Sequence, residues 1–100
     1  MTDYRLETTP VYDDWLENLK DRQARAVIEL RMRRAEEGNL GDHKSVGHGI
    51  SEMRVHIGTG YRLYYTVRDR QIIFLLLGGD KNSQKADIAA AQKIKKELFP

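Results

Sequence analysis

Residues 75–88 read LLLGGDKNSQKADI. Three leucines run into paired glycines, an aspartate and a lysine, and the apolar spacing then turns helical. A buried strand therefore gives way to a helix here. How it does so decides the topology, and whether Gly78-Gly79-Asp80-Lys81 is a plain glycine turn with a surface lysine or a place where a ligand meets the backbone. Upstream, residues 71–77 are apolar at almost every position, as in a central strand covered on both faces. Downstream, from about Ser83, Ile88, Ala91, Ile94 or Lys95, and Leu98 are spaced for burial on one helix face, with Ser83 or Asn82 as cap.

Two further strands precede this one. In residues 50–57, Met53, Val55 and Ile57 point one way and Glu52, Arg54 and His56 the other. Gly58-Thr59-Gly60 turns the chain. In residues 61–67, Tyr61, Leu63, Tyr65 and Val67 alternate with Arg62, Tyr64 and Thr66. With Arg68-Asp69-Arg70 as the second turn, the three strands form an antiparallel meander. Gly38, Gly41, Gly47 and Gly49 read as turn chemistry ahead of it.

The first half is helical. Residues 4–8 alternate as a short strand free to pair at a sheet edge. Thr9 is placed as N-cap with Pro10 at the first helical position, and Val11, Trp15, Leu16 and Leu19 form an apolar stripe. Asp21 caps a second helix whose buried face is Ala24, Val27, Ile28, Met32 and Ala35, and Gly38 ends it. The order β-α-α-β-β-β-α, with an N-terminal helical hairpin, predicts one α+β domain over residues 1–100.

Composition bounds the function. The chain is 40% apolar and 32% charged, a globular balance. No apolar run approaches the roughly 18 residues of a membrane span, and MTDYRLETTP lacks the apolar segment of a signal peptide. No membrane partner and a cytoplasmic location are expected. Without cysteine, disulfides and thiolate chemistry are excluded. His43 and His48 lack metal-ligand spacing, so no metal and no cofactor are expected. Charge is uneven: residues 1–37 hold seven Lys/Arg against nine Asp/Glu, and residues 38–100 hold ten against six. A basic sheet is one footprint of a phosphate-rich partner, and equally of a solvated mixed surface.

Several segments together resemble a known family. They are Trp15-Leu16, Glu36-Glu37-Gly38-Asn39-Leu40-Gly41-Asp42 with Lys44, Ser51-Glu52-Met53-Arg54, Gly60-Tyr61-Arg62-Leu63-Tyr64-Tyr65, and Leu77-Gly78-Gly79-Asp80-Lys81-Asn82-Ser83-Gln84. In this order they resemble the RelE/ParE superfamily of type II toxin–antitoxin modules, in its HigB-like "addiction module killer protein" branch. The resemblance implies a RelE-like microbial toxin fold with a curved antiparallel sheet. It implies a toxin silenced by a cognate antitoxin, touching DNA only through that antitoxin. For RelE and HigB relatives it implies mRNA cleavage at the ribosome, and for ParE relatives DNA gyrase as target. An inactive remnant held in a repressor complex is a third possibility.

Metal-independent RNA cleavage by 2′-OH attack on the adjacent phosphate needs a proton acceptor, a stabiliser of phosphate charge and a proton donor to the leaving oxygen. If residues 50–57 and 61–67 pair, Arg54, His56, Arg62 and Tyr64 share one face. Two arginines there suit phosphate oxygens; Glu52 pairing one of them on a solvated face is the plain alternative. Arg62, Arg54 and Lys81 are the catalytic candidates. Lys81 is expected at the rim after a sharp exit through Gly78-Gly79, with Asp80 orienting it or capping the helix. His56 has a suitable intrinsic pKa, Tyr64 suits base stacking, and Lys44 and Gln84 are edge contacts to RNA. Lys93, Lys95 and Lys96 read as a solvated helix face, with contact to ribosomal RNA as the lesser reading. Relative to RelE-type and HigB-type sites, the chain lacks a tyrosine after Tyr65 and a histidine after His56.

Overall fold

A computed structural model describes residues 3–100. The elements are β1 (Arg5–Thr8), α1 (Pro10–Glu17), α2 (Arg22–Glu36), β2 (His43–Gly47), β3 (Ile50–Val55), β4 (Tyr61–Arg68), β5 (Ile72–Asp80), a 3₁₀ turn (Lys81–Ser83) and α3 (Gln84–Leu98). The five strands form one sheet in the order β1-β5-β4-β3-β2.

The α+β class, the helical hairpin and the β3-β4-β5 meander are as expected. Two details differ. First, β1 pairs with β5 in parallel, Leu6 opposite Ile73, so the sheet is mixed. Second, residues 43–47 are a strand rather than turn chemistry, antiparallel to β3 with Lys44 opposite Glu52. This strand carries no apolar alternation because it lies at the sheet edge, largely solvated, and is held mainly by its ladder to β3.

The starts of α1 and α2 follow the local chemistry, whereas Ser83 stands at the N-cap of α3 without a side-chain capping bond. Thr9 Oγ1 accepts from Tyr12 N at 3.1 Å and donates to the Leu76 carbonyl at 2.6 Å, so one hydroxyl caps α1 and fastens it to β5. Asp21 Oδ1 accepts from Ala24 N at 3.0 Å. Gly38, with φ +95°, follows α2 as expected of a residue without Cβ. The stripe of α1 is shifted from the expected one. Tyr12 is buried and Val11 is 50% exposed. The phenol of Tyr12 donates to Met32 Sδ, and burial keeps it protonated by raising its pKa.

Helices cover both faces of the sheet. On one side α1 and α2 bury Tyr12, Leu16, Ile28 and Ala35 against Met53, Val55, Leu63, Tyr65, Ile73 and Leu75. On the other, α3 packs Ala91, with Ile88 and Ile94, on Ile50, Tyr64, Leu76 and Leu77. Leu98, expected to be buried, is 45% exposed. A bulge makes the two-sided arrangement possible. Tyr64 faces Leu77 while Tyr65 faces Leu75, so Leu76 is the extra residue and Leu76 and Leu77 fall in the same core.

The glycine pair is not an exit from the strand. β5 continues through Gly78 and Gly79 to Asp80, and neither glycine has positive φ. What the positions require is empty space. A Cβ on Gly78 would sit inside the Trp15 ring, and one on Gly79 would overlap the Asp87 carboxylate and Ser83 Oγ. Trp15, with ring centroids 5.8 Å from Tyr12 and 6.2 Å from Tyr61, thus lies against bare backbone.

Gly78→Ala is expected to cost about 1–3 kcal/mol through overpacking. In a Trp15→Leu background the same change costs much less, because the ring it strikes is gone. Urea denaturation of both single variants and the double variant measures this coupling.

Candidate active site

Two rows of side chains crossing the sheet build the site. Register places Lys44, Glu52, Tyr64 and Leu77 side by side. In the adjacent row Arg54 faces Arg62, and Arg62 faces Gly79. The first turn of α3 lies over this floor. Because Gly79 has no side chain, Asp87 and Ser83 occupy the space above it, joined by a 2.5 Å hydrogen bond from Ser83 Oγ to Asp87 Oδ2.

Glu52 is the centre of the network. It is 1% exposed. Its Oε2 accepts from Arg62 Nη1 and stands 3.8 Å from Arg54 Nε, while its Oε1 accepts from Gln84 Nε2 at 2.8 Å. Arg54 also pairs with Asp42, Nη2 to Oδ1 at 3.2 Å, and His56 Nε2 lies 2.6 Å from Asp42 Oδ2. The two arginines thus do have carboxylate partners, Glu52 and Asp42. Sequence alternation placed Glu52 on this face. Asp42, ahead of β2, carried no such signal.

The expected residues converge, but not all in the expected way. Arg54, Arg62, Lys44, His56 and Gln84 surround Glu52 and Asp42. Lys81 stands at the rim, its N–H donating to the Gly60 carbonyl at 3.2 Å. No ion pair involves Lys81 among the described residues. Asp80 caps the 3₁₀ turn, Oδ1 accepting from Asn82 N at 2.8 Å and Ser83 N at 3.2 Å, and does not orient Lys81. Tyr64 is corrected: it is wholly buried under α3 and presents no ring face for stacking. Its hydroxyl is buried without a hydrogen-bond partner. Burial, with Glu52 and Asp87 nearby, raises its pKa and keeps it protonated.

One positioning residue had no sequence signal. Arg31 of α2 donates to the Arg54 carbonyl at 2.6 Å, to that of Leu40 at 3.0 Å and to that of Asp42 at 3.3 Å. It fastens the 40–42 segment to β3 and so sets Asp42 beside Arg54. Partial burial lowers its pKa, opposed by Asp42. Its partners are backbone carbonyls, which no side-chain pattern announces.

Chemically, the floor offers guanidinium groups to an anion, a carboxylate in contact with them, and a free ammonium at the rim. That is the equipment for binding a phosphodiester and moving a proton beside it.

Known proteins share this architecture. An E. coli RelE toxin mutant in the free state is similar at TM-score 0.71 and 17% identity, over 93% of this chain and 99% of that one. The RelBE2 toxin–antitoxin complex of Mycobacterium tuberculosis contains a chain similar at TM-score 0.62 and 24% identity, covering 80% of this chain and all of that one. The fold is therefore that of these RelE toxin structures. Residues 14–98 match the model of the family described as "Phage derived protein Gp49-like (DUF891)", and the chain belongs to that family. A Haemophilus influenzae protein described as uncharacterized is 43% identical over 94 residues, which are 94% of this chain and 95% of that protein.

Two predictions follow from the geometry. Glu52→Gln takes the carboxylate from Arg62 and leaves Arg54 with Asp42 alone, and Arg62→Gln removes the hydrogen-bonded guanidinium from a buried carboxylate, each costing about 3–5 kcal/mol at most. The double variant recovers part of the loss, so a denaturation cycle gives a favourable Glu52–Arg62 coupling. The second concerns acid. Hydrogen bonding to His56 foremost, then Arg54 and His56 charge, lowers the Asp42 pKa. A carboxylate depressed on folding stabilises the protein above its unfolded pKa of about 3.9 and loses that contribution as pH falls through the folded value. Asp42→Asn is expected to flatten the acid limb of a Tm-versus-pH curve while leaving the limb above neutrality in place.

Proposed function

We propose that the protein is the toxin of a type II toxin–antitoxin module, of the HigB-like branch, and a metal-independent endoribonuclease acting on mRNA at the ribosome. The single observation that carries this reading is the Arg54–Arg62 pair around Glu52, with Lys81 unpaired at the rim, on the sheet of a RelE fold. Arg54 and Arg62 hold the scissile phosphate, and Lys81 neutralises it or protonates the leaving 5′-oxygen. Glu52 is the carboxylate nearest the arginines and takes the 2′-OH proton once Gln84 releases Oε1. Lys44 and His56 contact the strand at the edge. The solved RelBE complexes support a cognate antitoxin as partner. No helix of the described residues is long and apolar enough to cross a membrane.

A second reading has an observation of its own. Both arginines are already neutralised by Glu52 and Asp42, and Tyr64 is sealed under α3. A ParE-like toxin that binds gyrase without cleaving anything needs no open catalytic centre.

Primer extension on a reporter mRNA in a reconstituted translation system separates the two. Cuts are expected only with translating ribosomes. Lys81→Ala, a rim variant that disturbs no buried charge, is expected to reduce them about 10²-fold. Intact mRNA beside inhibited gyrase supercoiling would establish the binding reading instead.

A further inference from the structure

A concave surface lies at the far end of α3. His48, Gln92, Lys95, Lys96 and Phe99 line a cavity of about 340 Å³. Its walls are held in place. Lys95 Nζ donates to the His48 carbonyl at 2.8 Å, tying α3 to the turn between β2 and β3. Phe99 packs edge-to-face with Phe74, ring centroids 5.1 Å apart, and the Arg68 guanidinium lies over one face of the Phe99 ring, 4.0 Å from its centroid, outside the cavity that the ring lines.

The lining holds two lysines, a histidine and an amide, with Arg68 beside it, and no carboxylate. None of Arg68, Lys95 and Lys96 is in an ion pair among the described residues. At the active site the reverse holds, since both arginines already face carboxylates. Uncompensated positive charge thus gathers here, next to an aromatic ring fixed by its neighbours. Lys95 stands about 16 Å along α3 from Gln84, at roughly 1.5 Å per residue.

We propose that this cavity is a second subsite for single-stranded RNA, with Lys95 and Lys96 on a phosphate and Phe99 against a base. A nucleotide brings an anion and a flat π surface together, as the wall requires. An acidic peptide would meet the lysines and leave the ring unmatched. At roughly 3.4 Å per nucleotide, about five nucleotides connect the two sites. The choice of RNA rests on the function proposed above; the test reads binding and not cleavage.

The probe is a fluorescein-labelled 2′-O-methyl oligouridine 12-mer, which has no 2′-OH to attack, titrated with the full chain by fluorescence anisotropy at several salt concentrations. Lys96→Glu is expected to weaken binding about tenfold and to make the salt slope shallower by about 0.7. Phe99→Leu, which keeps an apolar group against Phe74 but removes the π face, is expected to weaken it about fivefold or more with the slope unchanged. Binding within twofold of wild type for both variants overturns the proposal. Loss of mRNA cleavage in Lys81→Ala would still leave the active-site reading standing. Tighter binding of a labelled oligoglutamate than of the RNA, lost in both variants, also overturns it and makes the cavity a protein-docking site.

Discussion

The molecule is organised by the demand that β5 be covered on both faces. A strand with Ile73 and Leu75 in one core and Leu76 and Leu77 in the other needs helices above and below it. The bulge at Leu76 reconciles this with pairing to β4 on one side and β1 on the other. Where the strand passes beneath Trp15 and Asp87, it can carry no side chain at all. Gly78 admits the aromatic ring that joins α1 to the sheet, and Gly79, beside Arg62 in the register, admits the acidic group of α3. The same two residues therefore set the packing of one core and the roof of the candidate site.

Glu52 extends this logic to electrostatics. A carboxylate with almost no exposure survives only because Arg62, Arg54 and Gln84 surround it. Those partners come from β4, β3 and α3, so the ionic cluster depends on the same register that orders the apolar layers. Arg31 adds a second support from α2, on the opposite side of the sheet. Removing either arginine to probe chemistry also disturbs folding, which is why a rim residue such as Lys81 is the cleaner probe.

Much of this was legible in the sequence. Period-two alternation placed Glu52, Arg54, Arg62 and Tyr64 on one face, and the register agrees. Thr9, Asp21 and Gly38 marked helix ends because their signals are local. What escaped was non-local. β2 owes its form to a neighbour's ladder, so His43–Gly47 carries no pattern of its own. Alternation gives a face but not what covers it, so Tyr64 read as an exposed platform when α3 lies upon it. Paired glycines usually announce a turn; here they record the volume of Trp15 and Asp87, residues about sixty positions before and eight after.

The parallel pairing of β1 with β5 also bears on how the chain acquires its shape during synthesis. Arg5 is matched with Ile72 and Thr8 with Leu75, the longest separations in the sheet. Thr9, which caps α1, completes its bonding on the Leu75 and Leu76 backbone. The helical hairpin therefore emerges early but has no sheet to rest on until residue 76 is free of the ribosome. Contacts that close so much chain form slowly. A chain of this topology reaches the folded state only when nearly all of it has been made, and a prematurely released fragment lacks the strand on which both cores are built.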